Sequence, residues 1–127
     1  MHKQGKKKIL AVVEDLLFTV KISDAAKRAG LDVEFIKSER DVVDKATEEK
    51  PLLIILDLNF SAVQPLNLIS KIKSDSETKQ ISIIGYLSHV QGELKQQAQD
   101  AGANIVMARS AFSQNLQQIL KRHSGVV

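Results

Sequence analysis

The sequence predicts an α/β fold in which five parallel strands, in the order 2-1-3-4-5, form one sheet with helices on both faces. Two aliphatic runs, residues 9–13 and 52–56, lack polar alternation, which is typical of strands covered on both sides. Apolar residues at helical spacing follow the predicted strands. Strands and helices that alternate through short connections require parallel pairing with right-handed crossovers, and the helices must then cover both faces.

The first half of the chain supplies two strand–helix units. A strand over residues 8–13 precedes a helix over residues 16–29, and Gly30 is the residue type expected just past a helix C-terminus. Residues 31–36 alternate apolar and acidic side chains, which indicates an edge strand with one exposed face, as the proposed order requires. Ser38 is positioned to cap the next helix, which ends near residue 50.

The second half supplies three further units around a buried central strand. Pro51 lacks an N–H group and is expected to be the first residue of this strand, which ends at Asp57. The four strands rich in aliphatic residues are expected inside the sheet. The other predicted elements are a helix over residues 65–73, a strand over 81–87, a helix between Val90 and Gly102, a strand over 104–108 and a last helix with Phe112, Leu116, Ile119 and Leu120 on its apolar face.

The composition predicts a single domain over residues 1–127 of a cytoplasmic protein. The chain has 127 residues, of which 43% are hydrophobic and 26% charged, values that suit one globular core. The absence of cysteine excludes disulfides, thiolate nucleophiles and cysteine-ligated metals, and the three histidines lie far apart. No run is long and apolar enough for a signal peptide or membrane span, so no membrane partner is expected.

Much of the net charge of +3 comes from a basic lead-in at residues 1–7 and the residue that follows it. Such a segment can contact nucleic acid or an anionic surface. Lysines without interleaved aromatic residues are a weak signal for nucleic acid, so a solvated segment is the favoured interpretation. The lysines concerned are Lys3, Lys6, Lys7 and Lys8.

Acidic residues stand where the first and third predicted strands end. These strands are neighbours in the proposed order, so Glu14, Asp15 and Asp57 are expected to meet at the sheet edge where such folds bind ligands. Carboxylates in proximity repel one another unless a cation lies between them, and Mg²⁺ takes oxygen ligands of this kind. An aspartate can also act as a nucleophile and form an aspartyl phosphate. Alternatively, Glu14 and Asp15 only begin the first helix, where acids interact favourably with its dipole.

Three stretches resemble the receiver domain of bacterial response regulators. They are residues 8–15, with a pair of acids after the first strand, residues 51–59, and the Ala-Gly-Ala-Asn stretch at residues 101–104. The resemblance covers nearly the whole chain and implies a stand-alone, CheY-like receiver rather than an enzyme. It implies phosphorelay signalling, in which Asp57 accepts a phosphoryl group from a histidine kinase or phosphotransfer protein and an unknown downstream protein responds.

The same resemblance implies a magnesium site. In receivers the metal would be held by the residues that match Asp15, Asp57 and the main-chain carbonyl of Asn59. Glu14 would reach the ion through a water molecule. Mg²⁺ is therefore the expected cofactor.

The chain also departs from the receiver pattern. Arg109 and Ser110 stand where receivers carry Lys-Pro, so Arg109 would contact the phosphoryl group in place of the lysine. Arginine binds phosphate bidentately but is not equivalent to an ammonium point charge. A Thr or Ser should end the fourth strand, and an ungapped alignment places Leu87 there with Ser88 one position later. Ser88 is thus a candidate switch hydroxyl whose register is ambiguous.

Two functions of different classes follow. The first is a phosphoacceptor signalling domain that is switched at Asp57. The second is a degenerate pseudo-receiver that binds a protein independently of phosphorylation, through its last helix and the edge at the fifth strand. A flavodoxin-like binder of a small ligand is a third, weaker option, because the sequence has no glycine-rich phosphate loop.

Two residues near the expected site are less informative. His89 follows Ser88 and could contact a phosphoryl group, although a histidine at a loop start is more often a polar surface residue. Tyr86 lies inside the fourth strand and is predicted to be a core residue, with its hydroxyl at the edge of the apolar layer.

Overall fold

The computed structural model describes residues 7–88 and 92–124, in which strands and helices alternate along the chain. His89, Val90 and residues 1–6 of the basic lead-in lie outside the described residues. The strands are β1 (Lys8–Val12), β2 (Asp32–Phe35), β3 (Leu53–Asp57), β4 (Ser82–Leu87) and β5 (Ile105–Ala108). The helices are α1 (Leu16–Arg28), α2 (Glu39–Glu49), α3 (Pro65–Ser74), α4 (Gly92–Ala101) and α5 (Arg109–Ser124), with a 3₁₀ turn at Ser61–Val63 before α3.

The sheet has the order β2-β1-β3-β4-β5 and every pair is parallel, which confirms the predicted fold class. β2 lies at one edge, as its alternating pattern predicted. β5 lies at the other edge, so the expectation that all four aliphatic strands are internal was wrong for β5. An open sheet has two edges, and Ile105 at the start of β5 is 40% exposed.

Each face of the sheet is covered by its own hydrophobic layer. Neighbouring residues of a strand point to opposite faces, so Ile54 and Ile55 belong to different layers. α1 and α5 cover one face, and α2, α3 and α4 cover the other. The same alternation decides which side chains at the strand ends share a face with Asp57.

Local signals place most of the helix ends where the sequence predicts them. The hydroxyl of Ser38 accepts a hydrogen bond from the N–H of Asp41 at 3.1 Å and caps α2. Gly102 ends α4 with a φ of 120°, a conformation that favours glycine. Pro51 is not the first residue of β3, which begins at Leu53, because the first hydrogen bond to β1 is made by the N–H of Leu52 to the carbonyl of Lys8.

Within the described ranges, none of the helices combines the length and the apolar character needed to cross a bilayer.

Candidate functional site

The carboxyl edge of the sheet carries a polar cavity of about 270 Å³. The turn after β1, the end of β3, the end of β4 and the start of α5 all contribute to its walls. Parallel strands end at the same edge, which is why segments distant in the chain meet here. The lining residues are Glu14, Asp15, Asp57, Asn59, Tyr86, Ser88 and Arg109.

Asp57 is the last residue of β3 and is only 8% exposed. One carboxylate oxygen accepts a hydrogen bond from the N–H of Asn59 at 2.9 Å. The other faces the N–H of Glu14 at 3.5 Å. Burial raises the pKa of Asp57 above its ordinary value, and these two N–H groups oppose the rise only in part. Asp57 is therefore a recessed carboxylate whose charge is incompletely compensated.

Asp15 has a structural role and also lines the cavity. It is the N-cap of α1, and one carboxylate oxygen accepts from the N–H of Leu17 at 2.7 Å. The other oxygen accepts from the guanidinium of Arg109. The Leu17 N–H, followed by the charge of Arg109, holds the pKa of Asp15 below its ordinary value. The alternative interpretation, in which the acid only begins the first helix, is correct for Asp15 in that this residue caps α1. Asp15 nevertheless also lines the cavity.

Glu14 contributes its backbone rather than its side chain to the contacts of Asp57. Its N–H group points to the Asp57 carboxylate, while the residue itself is exposed to solvent. The negative charge of Glu14 adds a small contribution that raises the pKa of Asp57.

Arg109 is the first residue of α5 and supplies the positive charge of the cavity. Its guanidinium carbon lies 4.6 Å from the centre of the Phe18 ring, within cation–π range. Phe18 belongs to α1, and Asp15 caps the first turn of the same helix. The ring and the carboxylate together hold the guanidinium over the start of α1.

Ser88, not Leu87, reaches the cavity. Leu87 is 2% exposed and belongs to the hydrophobic layer beneath α3 and α4. The hydroxyl and the N–H of Ser88 both donate to the side-chain oxygen of Asn59, at 3.1 and 2.8 Å. The end of β4 is thus tied to the loop after Asp57, and the Ser88 hydroxyl is already engaged there.

Tyr86 lines the cavity, although the sequence reasoning assigned it only to the core. It is 2% exposed, and its ring centre lies 5.0 Å from those of both Phe18 and Phe112. Tyr86 is also the register partner of Asp57 on the neighbouring strand. Register partners in a sheet point to the same face, so a correct strand alignment would have revealed its place in the site.

The carboxylates at this edge have the donor atoms that Mg²⁺ prefers, but Asp15 is already engaged by other groups of the protein. Across the described ranges, no group of three or more His, Cys, Asp or Glu side chains is placed to hold a metal. Both oxygens of Asp15 are engaged, one by α1 and one by Arg109. Magnesium binding by Glu14, Asp15, Asp57 and the Asn59 carbonyl stays a prediction.

The solved structures that superpose on this chain include response regulators. The response regulator from Hahella chejuensis superposes with a TM-score of 0.84 at 20% identity, over 94% of this chain and 96% of its own. The phosphorylated cyanobacterial phytochrome response regulator RcpA superposes with a TM-score of 0.77 at 23% identity, over 92% and 90% of the two chains. The chain has the receiver fold.

Another structure with the receiver fold is the Mn²⁺-bound form of the response regulator Rcp1. It superposes with a TM-score of 0.75 at 16% identity, over 94% of this chain and 93% of its own. No protein-family model matches this chain, and no curated protein matches its sequence. The likeness to these receivers is therefore one of fold.

Proposed function

We propose that this chain is a phosphoacceptor of two-component phosphorelay signalling and that Asp57 accepts the phosphoryl group. The observation that carries the proposal is the position of Asp57. Its carboxylate is recessed in a cavity at the carboxyl edge of the sheet, between two backbone N–H groups and near one guanidinium. The receiver fold supports the same function, and the neighbour RcpA is a phosphorylated response regulator.

The reactants of the proposed step are a carboxylate nucleophile and a phosphoryl donor. A carboxylate oxygen of Asp57 attacks the phosphorus of a phosphohistidine on a kinase or phosphotransfer protein. The P–N bond breaks, and its electron pair stays on the imidazole. Hydrolysis ends the state when water attacks phosphorus, the P–O bond to Asp57 breaks, and phosphate and the free carboxylate are released. We expect no other enzymatic activity and a cytoplasmic location.

Arg109 is the residue that we expect to compensate the added charge. The phosphoryl group carries about two negative charges, in place of the single charge of the Asp57 carboxylate, in a cavity that also contains Asp15. The Arg109 guanidinium has the geometry to bind phosphoryl oxygens bidentately, although in the described state it is held by Asp15. Mg²⁺ is the expected additional cation, by analogy with the Mn²⁺-bound Rcp1.

The experiment is phosphorylation in vitro by a small phosphodonor with Mg²⁺, read by intact mass and by amide NMR. We expect a single phosphoryl adduct on the wild-type protein, and shift changes around Ser88 and Arg109. Asp57→Asn should form no adduct, whereas Asp44→Asn, on the exposed face of α2, should form it as the wild type does. The absence of an adduct on the wild type, or its retention in Asp57→Asn, would contradict the proposal.

The second candidate is a pseudo-receiver that binds a protein without phosphorylation. The β5 edge favours it, because Ile105 is an exposed large hydrophobic residue on a strand that pairs with β4 on one side. The phosphodonor experiment separates the two candidates, since the pseudo-receiver would take no adduct at Asp57 and show no shift changes in the cavity.

A further inference from the structure

We propose that the hydroxyl of Tyr86 donates a hydrogen bond to a phosphoryl oxygen on Asp57. This inference deepens the proposed function and rests on it. It assigns a ligand contact to a residue that the sequence reasoning placed only in the core, and it makes Tyr86 a second hydroxyl at the acceptor beside Ser88.

Strand register places the two residues together. Asp57 and Tyr86 are Cα partners across β3 and β4, so their side chains leave the sheet on the same face. The Tyr86 ring packs against both Phe18 and Phe112, which also contact each other, so the orientation of the side chain is restricted. Tyr86 and Asp57 line the same cavity. Tyr86 and Asp57 therefore extend from one face of the sheet into the walls of one cavity.

The Tyr86 hydroxyl has no hydrogen-bond partner among the residues that the structure describes, although the side chain is 2% exposed. Buried hydroxyls in folded proteins nearly always have a hydrogen-bond partner, because a hydroxyl that is buried without one loses the hydrogen bonds that it made to water. The other hydroxyl of the cavity, that of Ser88, already donates to Asn59. Among the described residues of the cavity, the Tyr86 hydroxyl is thus a side-chain donor without a partner.

The chemistry of the phenol suits an anionic acceptor. Burial, together with the nearby charge of Asp57, raises the pKa of Tyr86, so the hydroxyl stays protonated and can donate. The oxygens of Asp57 are already met by two N–H groups. A phosphoryl group on Asp57 would present three acceptor oxygens with about two negative charges, in place of the single charge of the carboxylate. Such oxygens form strong, charge-assisted hydrogen bonds.

Beryllofluoride with Mg²⁺, as an analogue of the phosphoryl group, provides the test. Tyr86→Phe removes one oxygen and retains the ring stack, so the variant should fold and be at least as stable as the wild type. We expect its affinity for beryllofluoride, measured by amide NMR titration, to fall about tenfold. The matched control is Ile119→Val, a conservative change in the same hydrophobic layer that leaves the three aromatic rings and the hydroxyl in place; it should lose some stability and keep the affinity.

A second readout needs no variant. Tyr86 is the one tyrosine of a chain without tryptophan, so tyrosine absorption and fluorescence report on this side chain alone. We expect both signals to change when beryllofluoride binds the wild-type protein. Wild-type affinity in Tyr86→Phe, or a tyrosine signal that beryllofluoride leaves unchanged, would overturn the inference and leave the proposed function intact. Failure of the wild type to take up either a phosphoryl group or beryllofluoride would overturn both.

Discussion

The guanidinium of Arg109 hydrogen-bonds to the carboxylate of Asp15, a residue 94 positions earlier in the chain. The pair joins the start of α5 to the start of α1 across the mouth of the cavity that contains Asp57. Because Asp15 also caps α1, both of its oxygens are occupied. Arg109 thus places a positive charge beside Asp15, which the receiver resemblance names as a ligand of the metal ion.

The first prediction concerns competition between this cation and magnesium. Arg109→Ala should release one oxygen of Asp15 and remove a positive charge from the cavity, so Mg²⁺ affinity should rise. Partly exposed ion pairs are weak, so we expect a rise of no more than about fivefold in affinity. Isothermal titration with MgCl₂, or the NMR shifts of cavity amides, provides the measurement.

The control for this titration is Arg28→Ala. Arg28 pairs with Asp24 at the exposed far end of α1, so the variant has the same change in net charge without touching the cavity. Its magnesium affinity should equal that of the wild type. A rise in Arg28→Ala equal to that in Arg109→Ala, or no rise in Arg109→Ala, would show that the Arg109–Asp15 pair does not limit metal binding.

The second prediction concerns the stability cost of Asp57. The folded protein raises its pKa, chiefly through burial, so the ionised form is less favourable in the folded than in the unfolded state. This loss of folding stability is present at pH values above the raised pKa of Asp57, and it disappears as the pH falls through that pKa and the carboxylate is protonated. Asp57→Asn should therefore increase the free energy of unfolding at neutral pH by about 1 to 3 kcal/mol, the range for an imperfectly compensated buried polar group.

Urea denaturation at neutral pH and at successively lower pH measures this effect. The advantage of Asp57→Asn over the wild type should shrink as the solution is acidified. Asp44→Asn, an exposed substitution on α2, should change the free energy of unfolding by no more than about 0.5 kcal/mol. A destabilised Asp57→Asn at neutral pH would mean that the carboxylate is better compensated than its surroundings indicate.

The third prediction concerns the turn between α4 and β5. Gly102 has a φ of 120°, and a Cβ atom there would lie 2.8 Å from Cγ of Lys73. Lys73 cannot move away freely, because its ammonium donates to the carbonyls of Lys79 and Ile81 at 3.1 and 2.7 Å. Gly102→Ala should lower the free energy of unfolding by about 1 to 3 kcal/mol, the range for an unfavourable backbone conformation held in place.

Gly92→Ala, at the other end of α4, provides the comparison. Gly92 begins α4, and a Cβ atom there would meet no other atom within 4 Å. Because alanine restricts the unfolded chain and favours helix, this variant should be neutral or more stable by up to about 1 kcal/mol. Equal effects of the two substitutions in chemical denaturation would contradict the assignment of strain to Gly102.

The fold and the position of Asp57 at the carboxyl edge of the sheet follow from the sequence because they depend on local patterns. The unbroken aliphatic run of β3 predicts a buried strand, and the strand–helix alternation then requires parallel pairing. Once β1 and β3 are neighbours, their acidic ends must lie at one edge. Gly30, Ser38 and Gly102 mark element ends through conformational preferences of single residues.

Only the tertiary structure decided which side chains complete the cavity. A shift of one residue reverses the face to which a strand residue points, so the choice between Leu87 and Ser88 depends on the register of β4 against β3. The Arg109–Asp15 pair and the place of Tyr86 beside Asp57 join residues from different elements, and no local pattern encodes such contacts. The physical reason is that backbone preferences act over a few neighbouring residues, whereas the direction of a side chain in a cavity is fixed by packing between distant ones.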